Sequence, residues 1–321
     1  ILQLSLKNQQ KSCKMWIKKG NIYNVNGQFD WNKSHAQVPV VDLLEDRIRV
    51  YYSTRDVSGR SNVSYIEVEK NNPEKIIYEH TAPLFELGNL GSFDDSGIMP
   101  SSIITVGNKK YLYYIGWTTR GTVPFQNAVG LAISEDGGKV FKKLSEGPII
   151  SVNFIEPYFS GTSFVTFEDD IFKMWYLSCI KWEKFDGKPE PIYNIKYAES
   201  EDGITWNQTG KVAIELNDDE GGLVSAAVIK EDGKYKMWFG KRKKSDYRNN
   251  ITNSYKIGYA ESLNGKDWVR KDDKAGIDIS SEGWDSEMIS YPYVFKNDNN
   301  LIMLYNGNGF GKTGFGYAVW E

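Results

Sequence analysis

The sequence predicts an all-β fold, a five-bladed β-propeller of four-stranded antiparallel blades closed by an N-terminal strand. Three observations predict it. One phrase recurs along the chain, an apolar aromatic run and a further strand signal precede every copy, and a segment near the N-terminus matches what the last repeat lacks. Internal repetition at a fixed period is the signature of radial or stacked architectures.

The recurring phrase starts at Val129 (VGLAISEDG), Ile195 (IKYAESEDGITW) and Ile257 (IGYAESLNGKDW), with weaker copies at Val63 (VSYI) and Phe315 (FGYA). A run before each copy reads as a strand: Ile48–Ser53, Tyr111–Gly116, Phe172–Ser178, Tyr235–Gly240 and Leu301–Gly307. Alternating or wholly apolar runs this short, rich in aromatic and β-branched residues, suit strands rather than helices. A further strand precedes each of those, over Val38–Val41, Met99–Thr105, Gly161–Thr166, Ser225–Ile229 and Tyr291–Phe295. A fourth follows the Asp-Gly turn, as in Gly147–Ser151 and Val212–Leu216. The last repeat stops at Glu321 without a fourth strand, and Trp16–Val25 resembles the missing piece. Closure of this kind removes exposed sheet edges. Asp136, Asp202 and Asn264 sit in the hairpin turns and take a purely structural reading.

Composition narrows the function classes. The chain has 321 residues, with 39 Lys and Arg against 42 Asp and Glu, a balance that argues against a nucleic-acid binder. Aromatic residues make up 14% and glycines number 30, a pairing that favours short strands joined by tight turns. Cys13 and Cys179 cannot build a disulfide framework, and two histidines leave little for a His-based metal site. No apolar run approaches the roughly 18 residues of a membrane span. The start lacks the apolar stretch of a secretory signal, so a cytoplasmic location is expected. Residues 1–14 are expected to be an N-terminal extension or linker, with room for a preceding domain, and residues 15–321 the propeller.

In a propeller the first strand of each blade lines the channel. The loop leading into it opens on the same face as the loop between the second and third strands. The leading loops carry His35 and Gln37, Asp94 and Asp95, Glu156 and Tyr158, Glu220, and Asp285 and Glu287. Asp94, Glu156 and Glu220 are equivalent, and Asp95 and Glu287 are equivalent one step later, so four blades of five are expected to aim a carboxylate at one mouth. Clustered like charges raise one another's pKa, and a carboxylate pair is the apparatus of glycoside cleavage. An oxygen-rich mouth also suits Ca²⁺, though no cofactor is required and no metal ligands are assigned. The loops after the second strands bring Arg55, Thr119-Arg120, Lys181-Trp182 and Lys241–Lys244, with Asn306-Gly-Asn308-Gly in the last repeat. Cations over carboxylates suit a sugar bearing phosphate, a nucleotide or an acidic group. The plainer alternatives are that Arg55 and Arg120 neutralise Asp56 and Asp94/Asp95, and that Lys241–Lys244 is a solvated loop. Trp117, Tyr158 and Trp182 can offer faces to a sugar ring.

The stretches IRVYYSTRD (48–56), GSFDDSGIMPS (91–101), IEPYF (155–159), GWDSEMISYPYV (283–294) and MLYNGNGFGKTGFGYA (303–318) carry a resemblance. From Trp16 to Glu321 the chain resembles the five-bladed propeller superfamily of glycoside hydrolases that includes families 32, 43, 62, 68 and 130. More narrowly, it is similar to glycosidase-like proteins of bacterial surface-polysaccharide gene clusters. In the family 43 pattern a blade-one Asp is the base, a blade-two Asp tunes pKa and a blade-three Glu is the acid. The resemblance implies Glu156 as general acid and Asp94 or Asp95 as the tuning residue. The blade-one carboxylate is replaced by the Ser34–Gln37 stretch, which leaves Asp285, Glu287 or His35 to take the proton. In family 130 cationic residues hold a phosphate nucleophile, with which Arg55 and Arg120 are compatible. The expected function is cleavage or transfer of a glycosyl unit, Glu156, Asp94, Asp95, Asp285 and Glu287 being catalytic. His35, Gln37, Arg55, Arg120, Trp117, Tyr158, Trp182, Glu220, Lys241 and Asn308 are expected to bind a carbohydrate, sugar phosphate or nucleotide sugar. The alternatives are a glycosyltransferase using a nucleotide-activated sugar and a non-catalytic glycan-binding propeller.

Overall fold

The computed structural model describes residues 15–321. The extension assigned to residues 1–14, with Cys13, lies outside the described residues. The described chain is nearly all β, in keeping with the propeller class. β1 (Trp16–Tyr23) is followed by β2 (Ser34–Leu43), β3 (Arg47–Arg55), β4 (Ser61–Glu69) and β5 (Asn72–Glu79), the last four forming one antiparallel meander. A second comprises β6 (Gly97–Val106), β7 (Lys109–Thr119), β8 (Phe125–Ser134) and β9 (Lys142–Lys143). The third is β10 (Ser160–Glu168), β11 (Ile171–Phe185), β12 (Lys188–Ser200) and β13 (Val212–Ile214). The fourth is β14 (Glu220–Glu231), β15 (Lys234–Lys243), β16 (Lys256–Ser262) and β17 (Trp268–Arg270). The last combines β18 (Ser290–Asn297), β19 (Asn300–Asn306) and β20 (Phe315–Trp320) with β1, which pairs antiparallel to β20. The fourth strand expected over Gly147–Ser151 is shorter and earlier, at β9, and only Ile150 of that stretch bridges back to Val129.

The recurring phrase has a packing reason. Its Ser caps the turn, as Ser200 Oγ does by accepting from the Gly203 amide at 2.9 Å. The Asp two residues on accepts from two further amides, as Asp202 does from Ile204 and Thr205. Those bonds outweigh the cost of burial and hold the Asp202 carboxyl down at about 2. The glycine takes a positive φ, and its carbonyl receives an aromatic donor from the preceding meander. Tyr51 reaches Gly138 at 2.7 Å, Tyr113 reaches Gly203 at 2.9 Å and Trp175 reaches Gly265 at 2.8 Å. Each turn is thus both a hairpin and a clasp between neighbours, and the aromatics donating to it are fully buried.

The first strands lie side by side in a ring: β2 against β6, β6 against β10, β10 against β14, β14 against β18, and β18 against β2. All five carry a register irregularity, at mid-strand in β2, β6 and β14 and near the start of β10 and β18, of the kind that bends a strand and re-aims its side chains. Val38, Ser225 and Tyr291 there hold positive φ angles of 52°, 51° and 51°. Left-handed backbone is costly for such residues, and neighbouring meanders secure it. Asn306 Oδ1 accepts the Val38 amide at 2.7 Å and Thr162 Oγ1 accepts the Ser225 amide at 2.8 Å. These residues close the channel to a void of about 10 Å³, which gives the space above it a floor.

Candidate functional site

Above that floor lies a cavity of about 680 Å³, lined from all five meanders. His35 and Gln37 come from β2, Arg55 from the end of β3, Trp117 and Asn127 from β7 and β8, and Tyr193 from β12. Tyr247, Tyr255 and Tyr291 complete an aromatic side, with Phe310 packed edge-on against Tyr247 and Tyr255 and Arg248 at the rim. Of the residues expected at the site, the structure brings His35, Gln37, Arg55 and Trp117 together here.

Their geometry is well defined. Arg55 Nε donates to Gln37 Oε1 at 3.0 Å, its Nη1 donates to the Gly59 carbonyl at 3.0 Å, and the guanidinium lies 5.7 Å from the Trp117 ring. Gln37 Nε2 donates to the Phe310 carbonyl at 2.6 Å, so both ends of the amide are used to hold the arginine. Among the described residues no hydrogen bond takes Arg55 Nη2. Trp117 Nε1 donates to Ser61 Oγ at 2.7 Å, over Gly97, where a Cβ would lie 2.1 Å from that nitrogen. His35 has a φ of 65° that turns its ring inward, and its Nδ1 lies 2.8 Å from Ser34 Oγ. Burial, then the charges of Arg55 and Lys312, lower its pKa to about 4, so the imidazole is neutral at pH 7.

The carboxylates are placed elsewhere. None of Asp94, Asp95, Glu156, Asp285 and Glu287 is among the cavity-lining residues. Asp94, Glu156 and Glu220 are equivalent, as the repeats imply; the counterpart in the last repeat is Asp285, which puts Glu287 two residues on and not level with Asp95 as expected, and each of these four is at most 4% exposed and turned into its own meander. Asp94 accepts from Tyr114 at 3.2 Å and pairs with Lys143 at 2.6 Å. Glu156 accepts from Tyr176 at 2.6 Å and Ser178 at 2.7 Å, with Lys196 at 3.5 Å. Asp285 accepts from Tyr305 at 3.0 Å and Lys18 at 2.7 Å. Glu220 takes a two-pronged contact from Arg270, at 2.6 and 2.8 Å, and Lys241 binds Asp272 at 2.9 Å beside it. The counterpart in the first repeat is the buried Asn32, and not His35. A charge so fully paired is a brace across the strands.

The remaining expected residues have other places. Asp95 accepts from the Gly91 amide at 3.0 Å and Ser96 Oγ at 2.8 Å; with Thr118, these bonds outweigh burial and lower its pKa. Glu287 is exposed, and Asn308 braces its loop by accepting the Glu287 amide at 2.8 Å. Arg120 is exposed and Tyr158 half-exposed, both off the cavity wall. Trp182 packs on Phe125 and Phe159, which do line the cavity, and itself faces a neighbouring cavity of about 420 Å³. Arg60 and Lys143, rather than Arg55 and Arg120, neutralise Asp56 and Asp94. Among the described residues no three His, Cys, Asp or Glu side chains group as metal ligands, and no helix is long and apolar enough to cross a membrane.

Asn127, Tyr193, Tyr255 and Arg242 were missed. The first three stand two residues ahead of the recurring phrase in successive repeats, so the repeat register itself points to them. Arg242 belongs to the run expected to be a solvated loop, yet it is 2% exposed, beneath Tyr193 and Tyr247.

No protein-family model matches this chain. It is 36% identical over 308 residues to Rv1502 of Mycobacterium tuberculosis H37Rv, across 95% of this chain and 99% of that protein. The identity to MT1551 of strain CDC 1551 is the same, and both relatives are uncharacterized. Among solved structures, a glycosyl hydrolase from Bacteroides ovatus superposes with a TM-score of 0.70 at 15% identity, covering 95% of this chain and 93% of that one. A thermostable family-43 glycoside hydrolase gives 0.64 at 17% identity, covering 90% and 88%. The GH32 β-fructofuranosidase of Bombyx mori gives 0.60 at 15% identity, covering 92% and 62%. The fold is that of the glycoside hydrolase propellers.

Proposed function

This chain belongs to the family of Rv1502 and MT1551 of Mycobacterium tuberculosis, and from that premise we propose that it is a carbohydrate-active protein. Residues 15–321 are read as a single five-bladed propeller domain in which each meander is a blade and β1 completes the last. Its central cavity binds a saccharide bearing an anionic group, and the activity is transfer of a glycosyl unit from a phosphate- or nucleotide-activated donor. Such donors are made in the cytoplasm, where this activity would act. The resemblance to surface-polysaccharide proteins supports a role in surface-glycan assembly.

The observation that carries the reading is the make-up of the cavity wall. It offers the Arg55 guanidinium against the Trp117 face, a neutral His35 and several tyrosines. Asp56 is the one carboxylate among the lining residues. Its oxygens are already taken by the Ser58 and Arg60 amides at 2.8 and 2.9 Å and by Arg60 Nε at 2.9 Å. Glycoside hydrolysis ordinarily needs two carboxyl groups flanking the bond. An activated donor carries its own leaving group and needs a cation to hold its phosphate, which Arg55 supplies.

A thermal-shift screen tests this with nucleotide sugars, sugar phosphates and neutral oligosaccharides. A ligand at 100 times its Kd adds about 2.7 kcal/mol of stability. Phosphate-bearing sugars are expected to stabilise the native protein and not the Arg55→Ala variant; stabilisation by neutral oligosaccharides alone would overturn the reading. The same wall, without a free carboxylate, also favours a second reading, a glycan-binding propeller without catalysis. A donor bound but never consumed in the presence of acceptor sugars would select it.

A further inference from the structure

We propose that Tyr193 is the acid–base residue of the cavity, its phenolic oxygen held by Arg242 and Tyr255. The inference rests on the glycosyl-transfer reading above and names the group that moves the proton. Tyr193 and Tyr255 occupy equivalent positions at the heads of adjacent repeats, both line the cavity, and their hydroxyls are hydrogen-bonded to each other. Arg242 Nε donates to Tyr193 Oη at 3.0 Å, while its Nη1 and Nη2 donate to the carbonyls of Lys243 at 2.8 Å and Pro191 at 2.6 Å.

Two features make this unlike an ordinary structural cluster. First, Arg242 is buried, and among the described residues no carboxylate pairs with it. The nearby Glu190 is engaged by Tyr247 at 2.7 Å and by Arg248. A buried cation is normally paired, and a phenolate at Tyr193 would supply the missing charge. Second, both hydroxyls line the cavity and share a single hydrogen bond in which either can donate, so one of the two phenolic protons has no partner among the described residues and is left for a bound molecule. Arg242 Nε already donates to Tyr193 Oη, and when Tyr255 donates to the same oxygen the free proton is that of Tyr193.

The step balances. As the bond from the anomeric carbon to the leaving oxygen breaks, Tyr193 gives that oxygen its proton. The acceptor hydroxyl oxygen then bonds to the anomeric carbon, and its proton returns to the phenolate. Where the leaving group is a phosphate that departs as an anion, only the second half is needed, and Tyr193 serves as the base once ionised. The titratable and charged groups around it are Arg242, Tyr255, Tyr247, Tyr291, Arg248 and the buried thiol of Cys179. Burial, with the neighbouring Tyr193 oxygen, raises the pKa of Tyr255 well above the ordinary tyrosine range, so Tyr255 keeps its proton.

The test compares binding with turnover, using the sugar phosphate or nucleotide sugar that most stabilises the native chain. Tyr193→Phe is expected to bind it with native affinity, while transfer of the glycosyl unit to an acceptor sugar falls by about 10²–10⁴-fold. Tyr158→Phe, at an exposed tyrosine off the cavity wall, is the control and should match the native chain in both. Near-ultraviolet circular dichroism checks that each variant is folded. Native turnover in folded Tyr193→Phe overturns the assignment and leaves the sugar-binding reading intact. A native chain that binds no phosphate-bearing sugar overturns that reading and the assignment with it.

Discussion

Tyr176 donates its hydroxyl proton to Glu156 Oε1 at 2.6 Å, from a position 20 residues further along the chain. The same relationship, at the same spacing, joins Tyr114 to Asp94 and Tyr305 to Asp285. A contact repeated at one spacing in three meanders belongs to the scaffold. It fastens each leading loop to the second strand of its own meander.

The first prediction concerns Glu156→Gln. Neutralising this carboxylate leaves Lys196 buried beside an amide, and breaking a buried pair costs about 3–5 kcal/mol. Retained hydrogen bonds to Tyr176 and Ser178 should keep the loss near about 3 kcal/mol, read by urea unfolding. Ligand-induced stabilisation should be unchanged. A general acid would give the opposite pattern, with stability preserved and turnover reduced by about 10²–10⁴.

The N-terminal strand is the second test. Trp16 packs edge-on against Trp238 and Trp320, and Lys18 is bonded to the buried Asp285. Trp16→Ala should cost about 3–5 kcal/mol, as for other large core truncations. Lys18→Met should also destabilise, by stranding Asp285, and the Lys18→Met/Asp285→Asn double variant should recover part of that loss. Additive losses would show that the pair is not coupled.

His35 makes stability depend on pH. Its folded pKa of about 4 lies below the ordinary histidine value of 6.5, so between those values the unfolded chain takes up a proton that the folded chain does not. Its contribution is therefore complete above about pH 6.5 and is lost progressively as the pH falls towards 4. His80, stacked on Tyr65, is shifted in the same direction by burial and then by Arg49, and adds to the effect. Unfolding free energies of the native chain and His35→Gln should diverge across this window. Parallel curves would contradict the burial of the ring.

Gly97→Ala tests how the Trp117 face is held. The new Cβ would fall 2.1 Å from Trp117 Nε1 and 2.3 Å from Ser61 Oγ, breaking their hydrogen bond and displacing the indole. Tryptophan fluorescence should shift to longer wavelength, and the response to phosphate-bearing sugars should weaken. An unchanged spectrum with unchanged ligand response would show that the indole is not positioned this way.

The strands were legible because their signals are local: an apolar run, an Asp-Gly turn, a phrase repeated near one period. The equivalence of Asp94, Glu156 and Glu220 was legible for the same reason. Their direction was not, because a loop carboxylate can face the channel or its own strands. The choice was made by Tyr114, Tyr176 and Lys143 on later strands. Arg242 was hidden for a related reason. It sits among lysines in sequence, and only the rings of Tyr193 and Tyr247, 49 residues before it and 5 after, bury it.

The central claim is that this cavity binds its ligand through Arg55 and not through the repeated carboxylates. The measurement that tests it most directly is a calorimetric titration with the nucleotide sugar that most stabilises the native protein. It compares the native chain with Arg55→Ala and Glu156→Gln. Loss of a charged hydrogen bond is worth about 1.5–3 kcal/mol, so Arg55→Ala should weaken binding by roughly 10- to 100-fold. Glu156→Gln, less stable but folded, should bind as the native chain does. Native-like affinity in Arg55→Ala, with loss of binding in folded Glu156→Gln, would contradict the account.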